Sequence, residues 1–398
     1  MSEWKEAKLG NFIIYKKGFA FKSKDLGKSG HRVIKVKDFT DNSINILQCQ
    51  FLDISLAKNY DDYKLKEGDV IISTVGSWPS NPASIVGKVV KVPKIAENSL
   101  LNQNAVRLRS NEKILQSYLY YMLKTQAFLD YLISVAQGSA NQASITLNDI
   151  FNYMFKLPLL KEQKAIAEVL SSLDDKIDLL HRQNKTLEEL AQTFFRQWFI
   201  EEAKDEWEVG TLEDIMEFNP THSLKKGEMY PFLEMGNVQT FKSSVADWYE
   251  RAFTSGTKFK NGDTLLARIT PSLENGKTAY VDFLQNNEIG WGSTEFIVMR
   301  MKEDYHPFIS YLIARNEDFR EFAIGNMTGS TGRQRAQAKD IKKYEISIPP
   351  IEIIKKLNES IEYIPIKIKA NSKQIKTLEN IRDTLLPKLM SGEVKFKL

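Results

Sequence analysis

The sequence predicts an α+β fold: two β-rich domains in tandem repeat, separated by two long helices that pair as an antiparallel coiled coil about a pseudo-two-fold. Three observations carry this prediction. A long helical stretch occurs twice at one offset, the segments before each copy repeat with it, and those segments alternate strand-forming runs with Gly-containing turns.

The first helical copy runs from Lys161 to about Phe199 and the second from Glu352 to about Leu389. A shift of 191 residues sets Thr186-Leu187-Glu188 on Thr377-Leu378-Glu379, Lys176-Ile177 on Lys367-Ile368, and Glu168 on Glu359. The apolar beat of the first copy is Ile166, Leu170, Leu173, Ile177, Leu180, then Asn184 and Leu187. That of the second is Leu357, Ile361, Ile364, Ile368, then Asn371, Ile375 and Leu378. Alternating steps of four and three give the ~3.5-residue period of a coiled-coil seam. Two unrelated core helices would not share an offset. A span of about 34 residues is roughly 51 Å long, wider than a small domain. Asn184 takes an a position and Asn371 a d position, and in an antiparallel pair centred near Arg182 the two amides meet. A buried Asn costs stability but fixes register, because slipping leaves its amide unpaired. Pro365 removes a backbone donor inside the second copy, so a kink or a late helix start is expected there.

A chain of 398 residues can hold two or three domains with substantial cores. With 42% hydrophobic and 27% charged residues it reads as globular rather than disordered. The formal charge of +4 permits a nucleic-acid partner if the basic residues cluster, without requiring one. Cys49 is the only cysteine, which excludes a disulfide framework and a cysteine-based zinc site and suits a reducing compartment. The start, Met1-Ser2-Glu3-Trp4-Lys5-Glu6, has no apolar targeting core, and nowhere do about 18 apolar residues run together. The expected location is the cytoplasm, with no membrane contact.

The repeat extends ahead of the helices. Trp4 and Leu9 correspond to Trp207 and Leu212, and Val33-Ile34-Lys35-Val36-Lys37-Asp38 to Phe232-Leu233-Glu234-Met235-Gly236-Asn237. Glu67-Gly68-Asp69-Val70-Ile71-Ile72 answers Asn261-Gly262-Asp263-Thr264-Leu265-Leu266, a turn followed by a buried strand. Gly87-Lys88 answers Gly276-Lys277, and 104–109 answers 295–300. The offset drifts between 203 and 189 and settles at 191 from Arg109 and Arg300 onward, as loops of different length on one framework would produce. Each half then has a helix (114–135 or 307–323), a polar loop, and a Pro-containing strand (153–159 or 344–350) that feeds the long helix. The polar stretch 201–206 is the one plausible linker, giving β-rich domains at 1–160 and 200–350 and helical segments at 161–199 and 351–398.

Catalytic signatures are scarce. There is no phosphate loop and no dinucleotide fingerprint. His31, His181, His222 and His306 are too far apart for metal spacing, so neither a metal nor a catalytic residue is expected. Asn219-Pro220-Thr221-His222 matches only part of the Asn-Pro-Pro-aromatic motif of DNA amino-methyltransferases; without the second proline and the aromatic it reads as a turn.

Binding signals are better. In the loop 329–339, Ser330, Thr331, Arg333, Gln334 and Arg335 combine hydroxyls with forked donors. Arg can bond guanine O6 and N7 in pairs, and Gln adenine N6 and N7; Lys342 and Lys343 add phosphate contacts. The matching loop in the first half offers Ser139, Asn141 and Gln142, with no basic residue. A solvated surface loop is the plainer alternative. A second candidate pair follows the Gly-Asp strand: Thr74, Ser77 and Trp78 in one half, Arg268, Thr270 and Asn275 in the other, placed where a buried strand ends. Trp78 is suited to stacking on a sugar or wedging against a base, and equally to packing. Lys35 and Lys37 alternate with Ile34 and Val36, making one strand face basic, which is either a DNA contact or a solvated face. The aromatic run 194–199 reads as packing at a domain junction.

The stretches 157–167 (Leu157-Pro158-Leu159-Leu160-Lys161-Glu162-Gln163-Lys164-Ala165-Ile166-Ala167), Leu173-Asp174-Asp175-Lys176-Ile177 and Leu385-Leu386-Pro387-Lys388-Leu389-Met390-Ser391-Gly392-Glu393-Val394 carry a resemblance. With Glu67-Gly68-Asp69-Val70 and 293–300, the arrangement resembles the specificity subunit of type I restriction-modification enzymes over essentially the whole chain. It departs at Ile353-Ile354, where the first copy has Glu162-Gln163, and at Pro365. The resemblance implies a non-catalytic subunit of a phage-defence system that binds double-stranded DNA. Its two target recognition domains would each read half of a split site, and its helices would set the gap and dock two modification subunits. Those subunits would carry S-adenosylmethionine and methylate adenine N6; restriction subunits with an ATP- and Mg-dependent motor and nuclease would join them. No cofactor is expected on this chain. Rival readings are a specificity subunit serving a different phage-defence methyltransferase or a silent spare allele, an enzyme with unrecognised hydrolase or transferase chemistry on one β-rich domain, and a structural coiled-coil tether with no DNA role.

Overall fold

The computed structural model describes residues 4–80, 85–330 and 332–396. Packing divides the chain into two compact units: Met1–Lys176 with Leu378–Leu398, and Ile177–Thr377. These are called units 1 and 2. The long helices do not stand apart from the β-rich parts, since each unit's main core includes helix residues: Ile166, Leu170 and Leu389 in unit 1, and Ala191, Phe195, Leu357 and Ile361 in unit 2. The stretch 201–206 is therefore not a boundary between packed bodies; Phe199 just before it is buried in the unit 2 core.

Both units use one set of sheets. The central sheet of unit 1 runs Ile13–Lys17, Ala105–Ser110, Val70–Ser73, Val89–Lys91; that of unit 2 runs Met216–Phe218, Phe296–Met301, Thr264–Ala267, Thr278–Tyr280, all antiparallel. Val70–Ser73 and Thr264–Ala267 are buried at every position, as strands covered on both faces must be. A second four-stranded sheet in each unit contains one parallel pair, His31–Ile34 with Leu100–Leu101 and Met229–Leu233 with Gly290–Gly292. A two-stranded ribbon, Lys5–Lys8 with Met154–Leu157 or Glu208–Thr211 with Glu345–Ile348, ties each unit's first strand to the strand before a long helix.

The turn entering each central strand is built alike. Gly68 and Gly262 adopt φ of +80° and +92°, which a side chain would strain. The next residue is buried and paired: Asp69 takes two hydrogen bonds from Arg109 at 2.6 and 2.8 Å, and Asp263 takes two from Arg300 at the same distances. Each carboxylate also accepts a backbone N–H three residues upstream, from Lys66 or Lys260. Bidentate geometry plus a backbone donor offsets the cost of burying the charge.

The single helix expected at 114–135 is two, Gln116–Leu123 and Gln126–Val135, and that at 307–323 is Ile309–Arg315 and Glu317–Gly325. The break is a capping signal: Thr125 and Asn316, 191 apart, take extended backbone angles and accept the N–H of Phe128 and Phe319. The polar loop expected at 138–146 is a hairpin, Gln137–Ser139 with Gln142–Ser144.

The first long helix is continuous over Leu160–Arg196 and ends in a π-turn, Gln197–Glu201. The second is interrupted: Ile351–Ile361, then Tyr363–Ser391. Pro365 cannot donate to the carbonyl of Ile361, and the break falls between them. The Ile353-Ile354 departure also has a physical consequence. In unit 1 the buried Gln163 accepts the N–H of Leu115, capping a helix start, at 2.9 Å. In unit 2 Ile354 cannot, and Asn358 instead accepts the N–H of His306, the residue matching Leu115, at 2.9 Å.

Within unit 2 the two helices run antiparallel, with 361–375 facing 180–195. Asn371, 1% exposed, donates to the Asn184 amide oxygen at 2.8 Å, and Asn184 donates to Ser372 at 3.3 Å. Ile177, Leu180, Ile364, Ile368 and Ile375 are buried, with Leu187 half-buried. Within unit 1, Ile166 and Leu170 are buried, Leu173 and Leu378 half-buried, and Asp174 accepts from Arg382 at 3.1 Å. Among the described residues no helix is long and apolar enough to cross a membrane.

Candidate nucleic-acid interface

The candidate residues collect where each central strand ends. In unit 1 the strand Val70–Ser73 leads through Thr74 to a short strand, Val75–Gly76, which pairs with the hairpin Gln137–Ser144. Thr74 is fixed by backbone bonds to Asn104 and Ile145. In unit 2, Arg268 makes the same two bonds, to Glu295 and Ala336, and Arg335 bridges both Thr328 and Ile269. The hairpin bases Gln137 with Ser144 and Thr328 with Arg335 are thus equivalent at the 191-residue offset. Gly138 is required in the first, since a Cβ there would lie 2.0 Å from the carbonyl oxygen of Gln142.

The two hairpins present different chemistry. In unit 1, Ser139, Asn141 and Gln142 are exposed. Trp78 is half-buried, and its indole N–H donates to the Ser139 carbonyl at 2.7 Å, so the ring braces the hairpin. Ser77 is bridged to Ile85. In unit 2, Ser330 and Arg333 are exposed and Gln334 is half-buried; Thr331 lies outside the described residues. Asn275 is exposed on the turn after Pro271.

Several expected contacts change role. Thr74 is 4% exposed and Thr270 keeps its hydroxyl buried, each without a hydrogen-bond partner for that hydroxyl among the described residues, so neither reaches a base from here. Lys35 and Lys37 do not line a strand face. The strand stops at Ile34 because Asp38 accepts the Lys35 N–H at 2.8 Å and turns the chain into a 3-10 helix, Val36–Asp38, while the Lys35 ammonium donates to Gln50. Arg335 is not a free fork. It gives Glu295 bonds of 2.7 to 3.0 Å and a third group to the Arg333 carbonyl. The hydrogen bond and charge of Glu295 raise its pKa further above the ordinary arginine value. Arg268 lies 4.0 Å from the same carboxylate and donates to Gln337 at 2.8 Å.

Glu295 and Gln337 are thus the partners of Arg335 and Arg268, which spacing alone did not reveal. The available signal was the substitution across the repeat: Asn104, Thr74, Ser144 and Thr146 in unit 1 stand where unit 2 has Glu295, Arg268, Arg335 and Gln337. One quartet is neutral and the other is a charged clamp that sets the base of the hairpin bearing Arg333. Exposed amides and hydroxyls over one platform and a guanidinium fork over the other suit hydrogen bonding to base edges of different identity. No cluster of three or more metal-ligating side chains occurs among the described residues.

The family model described as the type I restriction modification DNA specificity domain matches residues 1–189 and again 204–380. The chain belongs to this family of specificity subunits of type I restriction-modification enzymes. The type I restriction enzyme MjaIX specificity subunit of Methanocaldococcus jannaschii is 27% identical, over 99% of this chain and 97% of that protein. The HindI specificity subunit of Haemophilus influenzae is 25% identical over 50% of this chain and 42% of its own length. Among solved structures, the type I restriction-modification S subunit from M. genitalium has a TM-score of 0.58 at 17% identity, covering 97% of this chain and 96% of that one, and so shares the fold.

Proposed function

We propose that this specificity subunit is non-catalytic and reads a bipartite site on double-stranded DNA, one half with each recognition domain (1–160 and 200–350). The long helices would set the unread gap and dock two modification subunits; S-adenosylmethionine would sit on those subunits, and ATP with Mg on restriction subunits, in the cytoplasm. One observation carries the reading: equivalent hairpins on equivalent strands present a neutral quartet in one unit and a charged clamp in the other. Two readers of different words need this combination, a shared frame with different donors. Phosphate contacts would supply most of the affinity, so non-specific binding should weaken steeply with salt.

The test mixes the chain with its modification partner and S-adenosylmethionine, and maps adenine methylation. Methylation at one split motif is expected, and methylation by the chain alone would sink the reading. Arg333→Ala is expected to lose about 1–3 kcal/mol of discrimination at one half-site only. Equal loss at both halves would mean general phosphate binding instead.

A further inference from the structure

Unit 1, whose hairpin is neutral, has a basic feature at the other end of its central strand Val70–Ser73. A recess of about 440 Å³ is lined by Lys16, Lys64, Lys66, Arg107 and Arg109, with Asp61 and Asp62 at its rim. Both rim carboxylates are engaged: Asp62 with Lys16 at 3.1 Å and Asp61 with Lys64 at 2.7 Å. Asp69 lies beneath and is taken by Arg109. Among the described residues Arg107 donates to carbonyls only, Asp62 O at 3.2 Å and Lys64 O at 2.8 Å, and its Nε is buried without a partner. Burial, then the neighbouring Arg109 charge, lowers its pKa from the ordinary arginine value. Asp69 and Asp62 offset part of this, but neither bonds the guanidinium directly through its carboxylate, and a half-buried cation in that state is stabilised by an anion placed over it.

Unit 2 supplies an internal control. Lys258, Lys260 and Arg300 stand where unit 1 has Lys64, Lys66 and Arg109, and Arg300 holds Asp263 in the same way. There the chain fills the space itself. His222 sits 2.8 Å from the Arg300 guanidinium and its carbonyl accepts from Lys258 at 2.9 Å. The position of Arg107 is taken by Val298, which bonds Asn219 through its backbone. In unit 1, Arg109 has among the described residues only the Lys64 carbonyl, at 3.5 Å, in addition to Asp69.

The geometry points to a binding site for a phosphate-class oxyanion in the unit 1 recess, held by Arg107 with Lys16, Lys64 and Lys66, and closed in unit 2 by His222. The ligand is either free phosphate or the phosphodiester of a DNA backbone; only the second source rests on the DNA-binding reading above.

The full-length chain is titrated calorimetrically with inorganic phosphate, and separately with a non-specific DNA duplex over a range of salt. Saturable phosphate binding that Arg107→Gln weakens about tenfold, the scale of one charge-assisted hydrogen bond, supports a free-anion site. Asp62→Asn frees Lys16 and is expected to tighten binding, which keeps the test decisive if Arg107→Gln fails to fold. Without phosphate binding, a salt slope for the duplex that falls by about one in Arg107→Gln supports a backbone phosphate in the recess. The inference is overturned by phosphate binding that neither substitution alters, or by no phosphate binding together with an unchanged slope.

Discussion

Where the helix pair meets the short helices, unit 1 builds a polar network: Asp174 accepts from Tyr121 at 2.7 Å and from Arg382 at 3.1 Å. At the same three positions, shifted by 191 residues, unit 2 has Pro365, Leu312 and Ala191, all buried, with Leu312 and Ala191 in its main core. The same packing problem is solved once with an ion pair and once with hydrocarbon. Removing charges from water costs about what their mutual attraction returns, so a satisfied buried pair and an apolar cluster of similar volume can be close in stability. The shared backbone therefore does not dictate polarity; where this network keeps polar groups, it pairs them.

The sharpest way to test that rule is to remove one partner where both units kept the pair. Asp263→Ala leaves Arg300 uncompensated and is expected to cost about 3–5 kcal/mol. Asp69→Ala should cost less, because the Arg109 side chain is 28% exposed against 17% for Arg300 and can rehydrate. Hydrogen exchange resolved by unit would read both, each loss confined to its own unit. Equal losses would mean that exposure of the guanidinium does not matter.

A smaller effect is expected from giving unit 1 the unit 2 solution. Asp174→Leu alone leaves Arg382 with Asp383 and the Tyr121 hydroxyl with only a 3.5 Å contact to Ser171, and should cost about 1–3 kcal/mol. Asp174→Leu with Arg382→Leu and Tyr121→Phe should recover most of it. A triple variant no better than the single would show that the network itself, not the satisfaction of its members, holds unit 1 together.

What the sequence made legible follows the same division. The helix pair could be read because heptad spacing is a local property, and the tandem arrangement because a fixed offset needs no structure. Local competition hid other features: Thr125 and Asn316 end a helix through one side-chain bond each, and Asp38 ends a strand before Lys35. Neither interrupts the apolar pattern, so pattern reading ran through them. Tertiary pairing hid the rest. Arg335 and Glu295 are 40 residues apart, and so are Arg109 and Asp69; both were visible as repeated positions, but only folding joins them. A forked donor read as available for DNA was thereby already occupied.

The weakest effect expected concerns pH, and it again separates the units. His222 and His306 both lie in unit 2, and both have pKa values lowered from 6.5, chiefly by burial and for His222 also by the Arg300 charge. Each is held neutral by its contacts: His222 Nε2 faces the Arg300 guanidinium, and His306 Nδ1 accepts the Phe308 N–H at 3.2 Å. Just below pH 6.5 the unfolded chain takes up protons that folded unit 2 refuses, so stability rises with pH there and is lost as pH falls from about 6.5 towards the depressed folded values. Asp282 works the other way. Burial pushes it from 3.8 up to about 6, so its contribution is greatest below 3.8 and is lost as pH rises through 6. Lys258, Lys260 and Asp263 also face His222, so a variant is needed to isolate it. On lowering the pH from roughly 7 to 5.5, unit 2 amides should lose exchange protection before those of unit 1, and His222→Gln should reduce the difference. Unit 1 opening first, or no response to His222→Gln, would show that the histidine filling the unit 2 recess does not make that unit the more acid-sensitive one.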